Sequence, residues 1–143
     1  MKTYSQKPAD VERTWYVLDA TGISFGRIAT QAASLLIGKG KPTFTPHTDG
    51  GDFVIIINAK QMKVTGGKED KKAYHYHSGY PGGLRTQKLS DVGNLVALEE
   101  AVRGMLPVNK LRDGRLARLK IYEGTEHNHT AQKPQEFISK GVK

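Results

Sequence analysis

Apolar positions along this chain follow first a strand pattern, then a helical one, then a continuous run. Residues 14–20, TWYVLDA, are rich in aromatic and β-branched side chains and predict a short strand. Asp19, Thr21 and Gly22 supply turn chemistry after it, with Thr21 or Ser24 as candidate helix caps. From Phe25 to Ile37 the apolar positions Phe25, Ile28, Ala32, Leu35 and Leu36 fall on one helical face, and Gly38 is a natural stop. Residues 53–57, FVIII, are apolar without alternation, as in a strand buried on both faces. Together these segments predict a βαβ unit with a right-handed crossover and a sheet sandwiched between helices.

Residues 62–65 predict a short extra strand ending at Gly66-Gly67. A second helix is expected over residues 94–103, with Leu95, Leu98, Val102 and Leu106 as its stripe and Gly104 and Pro107 as its end. Residues 115–120 read as a helix turn and Lys120-Ile121-Tyr122 as a last strand. Polar residues 1–13 form an N-terminal arm, and residues 124–143 a polar tail on the surface. There is no internal repeat and no clear linker, so residues 1–143 are expected to form one domain.

Composition narrows the partner. The net charge is +8, which favours a polyanion: nucleic acid or an anionic membrane surface. With no cysteine, disulfides and thiolate zinc sites are excluded. No apolar run approaches the ~20 residues that span a bilayer, and the first residues offer no apolar signal segment, so a cytoplasmic protein is expected. The charge is concentrated. Residues 60–88 carry seven bases against two acids, and residues 103–120 six against one. Between them, residues 89–102 hold three acids and no base.

The first block interleaves its cations with Tyr74, His75, Tyr76, His77 and Tyr80, and Gly79, Gly82 and Gly83 loosen the backbone around Pro81. Cations neutralise phosphates, rings stack on bases and glycines permit close backbone approach. A solvated basic loop is the plain alternative. Lys68, Lys71, Lys72, Arg85 and Lys88 are expected phosphate neutralisers. Tyr74, His75, Tyr76 and His77 are candidates for stacking or 2′-OH contacts, and Gly82 and Gly83 for close approach. In the second block Arg103, Lys110, Arg112, Arg115, Arg118 and Lys120 are expected on a second surface, on a segment that its glycines and Asn109 keep a loop. Arg27, Lys39 and Lys41 complete the candidate set. Lysine outnumbers arginine in the first block, which points to backbone clamping rather than base reading.

Other chemistry is poorly supported. Gly22-x-x-x-Gly26 followed by Arg27 matches neither the dinucleotide fingerprint nor a Walker A loop, so a nucleotide-dependent enzyme using that turn is a distant alternative. His75-x-His77 and His127-x-His129 form a weak metal signal. Asp49 and Asp52 flank Gly50-Gly51 as a possible carboxylate pair, or as an ordinary turn. No catalytic residue, metal, cofactor or small-molecule substrate is expected.

Seven segments in order, WYVLDATG…GRIAT, TPHTDGGDFVIIINA, KVTGGK, YHYHSGYPGG, VRGMLP, LKIYEG and EHNHTAQKPQ, resemble the bacterial large-subunit ribosomal protein L-thirteen family across about residues 1–136. The resemblance implies direct binding of 23S rRNA, a role early in subunit assembly, neighbouring large-subunit proteins as partners, and no membrane. It also implies an α/β fold: three layers, α/β/α, around a mostly parallel four-stranded sheet with extended basic loops. One departure is visible. The Gly-Arg pair that follows Arg-Gly-Met-Leu-Pro in the family falls on Arg112-Asp113, while Gly114-Arg115 comes two residues later. Either the loop slid or Arg112 takes a different path. A transient RNA-binding translational regulator is the alternative with the same chemistry.

Overall fold

The computed structural model describes residues 3–138. Strand β1 (Trp15–Asp19) leads through a tight turn into helix α1 (Phe25–Ile37), and β2 (Phe53–Ile57) returns beside β1. A short helix α2 (Lys68–Lys71) precedes the hairpin β3 (Ala73–His77) and β4 (Leu84–Lys88). Helices α3 (Leu89–Val92), α4 (Asn94–Met105) and α5 (Arg112–Ala117) lead to β5 (Leu119–Ile121), and β6 (Gln135–Glu136) follows a 3-10 turn at Thr130–Gln132. The main sheet has the order β5-β2-β1-β6, parallel at every pairing.

Register explains why FVIII shows no alternation. Leu18 pairs with Ile56, and Val54 with Leu119, on the face that packs against α1 and α4. Trp15 lies opposite Phe53 on the other face, their rings stacked 4.2 Å apart, and His129 leans on Trp15 at 5.0 Å. Val54, Ile55 and Ile56 are therefore all fully buried, each contributing about 1.5–3 kcal/mol of hydrophobic stabilisation. The fold is α/β in three layers, as expected. The second outer layer is carried by the segment after β5, whose helical part is the 3-10 turn.

Helix α1 begins and ends where its periodicity predicts. Gly38 closes it at φ +81°, its N–H bonded to the carbonyls of Ser34 and Leu35. Ser24 occupies the cap position without a side-chain cap bond, and Thr21 binds Asp19 instead. Helix α4 runs through Gly104 and stops at extended Leu106, because proline at 107 disfavours helical backbone in the residue before it. The extra strand expected at residues 62–65 reduces to one bridge, Ser24 to Lys63. The arm contributes buried Gln6, whose backbone N–H donates to the Thr45 hydroxyl. Within the tail, β6 adds an edge strand to β1 that the polar residues Gln135 and Glu136 did not announce.

Candidate nucleic-acid interface

The first basic block is not a loop. Lys68 and Lys71 lie on α2 and are exposed, while Lys72 at its end holds Nζ 5.1 Å from the ring centroids of both Phe25 and Tyr74. The hairpin then sorts the alternating tyrosines and histidines by strand parity. Tyr76 stands opposite Arg85, and Tyr74 opposite Gln87, on one face. His75, His77, Thr86 and Lys88 belong to the other, where His75 Nδ1 and the Thr86 hydroxyl are 3.0 Å apart. Tyr74 is half-buried against the core, with its hydroxyl unpartnered among the described residues, whereas Tyr76 is exposed. Four rings read from the sequence as one set thus divide into two faces, and one of them anchors the ribbon.

The hairpin's own turn accounts for its glycines. Tyr80-Pro81-Gly82-Gly83 has proline second and Gly82 third at φ +71°, with the Gly83 N–H donated to the Tyr80 carbonyl: a type II turn. A Cβ on Gly83 would collide with Ser78 and the Tyr80 carbonyl. At the tip, Tyr80 and Leu84 are 76% and 61% exposed.

The second basic block is likewise not a loop, and its cations do not share a surface. Arg103 lies on α4, 3.4 Å from Glu100, and Lys110 is exposed between helices. Arg112 opens α5, a helical segment with Gly114 and Arg115 inside it. Lys120 pairs in register with Ile55, on the sheet face away from α4. Arg115 and Arg118, expected at the surface, are only 1% and 7% exposed. Arg118 grips Asp49 with both terminal nitrogens, and Arg115 Nε lies 3.4 Å from the same carboxylate.

Asp49 is the residue that sequence reasoning left as half of a turn. Burial pushes its carboxyl up, but the Arg118 hydrogen bonds and the charges of Arg118, Arg13 and Arg115 together hold it below the ordinary aspartate range. Asp52 is held in turn by Lys41, whose Nζ donates to Asp52 Oδ1 at 2.6 Å, the Glu12 carbonyl at 2.8 Å and the Gly50 carbonyl at 3.0 Å. Lys41 is therefore saturated by the protein, while Arg27 and Lys39 are exposed. The available signal was two acids flanking paired glycines beside a wholly apolar strand: buried acids need cations, and Lys41, Arg13 and the distant second basic block supply them.

The turn after β1 is occupied by the chain itself. The Gly22 N–H goes to the Gln61 carbonyl and the Phe25 N–H to that of Lys63. Beside it, a cavity of about 350 Å³ is lined by the carboxylates of Asp19 and Glu136, with no lysine or arginine among its described lining residues. Burial raises the Asp19 carboxyl, yet bonds from the Thr21 hydroxyl, Asn58 and the Thr21 amide leave it lowered, hence anionic. A phosphate has no reason to enter. His129 bonds the Tyr122 hydroxyl at 3.0 Å, and the His129 amide donates to His127 Nδ1, so both histidines serve the covering layer.

Over residues 13–128 the sequence matches the family described as Ribosomal protein L13. The large ribosomal subunit protein uL13 of Micrococcus luteus is 52% identical over 140 residues, covering 96% of this chain and 95% of that protein. The protein of the same description from Clostridioides difficile is 50% identical over 138 residues, 94% of this chain and 96% of its own length.

Proposed function

The chain belongs to the ribosomal protein L13 family, and on that premise we propose that it is a non-catalytic constituent of the large ribosomal subunit that binds 23S rRNA directly and supports early assembly. Membership in a family of structural ribosomal proteins sets the nucleotide-enzyme reading aside. The protein works on the ribosome in the cytoplasm.

One observation carries the rRNA reading. Lys68, Lys71, Arg85 and Lys88 are exposed on α2 and the hairpin, and none takes part in an ion pair among the described residues. Cations left without internal counter-charges on a projecting ribbon suit a partner that supplies phosphates. Arg27, Lys39, Lys110, Arg112 and Lys120 extend this charge around the body, and exposed Tyr80 and Leu84 suit a base or a neighbouring ribosomal protein. Arg115, Arg118 and Lys41 are engaged inside the protein, and their role is to hold the frame.

Binding to a 23S rRNA transcript across a salt titration tests the reading. Lys71→Glu, Lys72→Glu and Arg85→Glu together should weaken binding and reduce the salt slope by about 0.7–0.9 log units per lost phosphate contact. An unchanged affinity and slope would remove the assignment. Co-sedimentation with large subunits through a high-salt gradient separates a resident constituent from a transient regulator.

A further inference from the structure

Between α1, α2 and α4 runs a groove of about 610 Å³, within the roughly 300–1,000 Å³ of small-molecule sites. Its walls are chemically unlike. Lys68, Lys71 and Lys72 line one side. Ala101 and Met105 form an apolar floor above Phe25, which is itself buried beneath the Lys72 ammonium, and Met105 is 43% exposed to solvent. Opposite the lysines stands Glu100, tied to Arg103.

Two glycines keep the groove open. Gly26 in the first turn of α1 and Gly104 in the last turn of α4 both line it. Neither has a positive φ, and a Cβ on either would meet nothing within 4 Å. Glycine weakens a helix relative to alanine, and the fold offers no compensating need for it at either position. What the two share is the space between them.

We propose that this groove takes a single unstacked nucleotide of the rRNA, with its base on the Ala101–Met105 floor and its phosphate against the lysine wall. The inference rests on the rRNA-binding reading and adds a site to it. Charge complementarity fixes the orientation. Three cations on one rim draw the phosphate there, and Glu100 repels it from the other. The Glu100 carboxylate accepts hydrogen bonds only, so it favours a base that presents an amino group, which uracil lacks. Unpaired bases splayed from RNA and seated on aromatic or apolar side chains are the usual units of sequence-specific RNA recognition. The lysine-rich block is thereby given a point of base selection as well as backbone clamping.

Footprinting of wild-type and Gly104→Leu protein on a 23S rRNA transcript tests this, with hydroxyl radicals reporting the backbone and base-modifying reagents the base edges. Gly104→Leu fills the groove from a helical position, and thermal unfolding checks that it folds. Gly104→Ala and Gly26→Ala, which narrow the groove from its two glycine positions, stand in if it does not. The expected result is an unchanged backbone footprint, restored modification at one unpaired nucleotide, and affinity lower by about tenfold for Gly104→Leu. Identical base protection in wild type and variants would overturn the groove while leaving rRNA binding in place. No footprint for the wild type would overturn both.

Discussion

Arg118 and Asp49, 69 residues apart in the chain, form a two-pronged ion pair, with Nη2 donating to Oδ1 at 2.7 Å and Nη1 to Oδ2. The remaining donors of Arg118 go to the carbonyls of Asp52, Gly114 and Leu36. All five guanidinium donors are thus accepted, and one side chain ties α1, α5 and the loop before β2 together. Arg118→Met leaves Asp49 without its main partner and should cost about 3–5 kcal/mol by urea denaturation. Arg118→Lys should recover little, because an ammonium cannot reproduce the fork.

The same carboxylate sets an acid limit. Its proton affinity in the fold lies below the ordinary value of 3.8, so its stabilisation is present above that value and is lost as pH falls through the lowered one. Asp49→Asn should therefore be the less stable protein at neutral pH, with the gap narrowing below about pH 4. Denaturation midpoints measured from pH 7 to pH 2.5 check this; a constant gap would count against it.

Neighbouring lysines should part company. Lys41→Met removes three satisfied hydrogen bonds and should cost about 1.5–3 kcal/mol of stability with little change in the salt slope of rRNA binding. Exposed Lys39→Met should leave stability nearly unchanged, and any effect should appear in the salt slope.

Glycines in the loop and the helix should respond oppositely. A Cβ on Gly51 would overlap the Leu36 carbonyl, so Gly51→Ala should cost about 3 kcal/mol. Gly114 in α5 has open space around it, and Gly114→Ala should gain roughly 0.5–1 kcal/mol. Paired thermal melts read both.

The hairpin's parity also makes a prediction. Tyr76→Ala and His75→Ala should each leave the fold intact yet remove protection from different rRNA segments, because the two side chains leave opposite faces of the ribbon. Loss of the same protections from both variants would mean that RNA touches only one face.

What was legible in the chain follows from range. The stop at Gly38, the apolar face of α1 and the doubly buried FVIII strand are local patterns, and they matched the structure. The Tyr74–His77 alternation was equally local but was read as a charged loop, since polar residues hide a strand that projects from the core. Arg115 and Arg118 were counted as surface charge because their counter-ion lies in a distant loop. Strand β6 was invisible for a similar reason: Gln135 and Glu136 have no strand character of their own, and the vacant side of β1 recruits them.

That recruitment has a consequence for synthesis. Residues 16–17 wait for residues 135–136, so a chain emerging N-terminus first carries a bare flank on its central sheet until residues 135–136 have been added. A stalled or clipped chain keeps that flank, and an unpaired strand edge is a template for adhesion to other chains. Reaching residue 136 is what lets the protein seal itself.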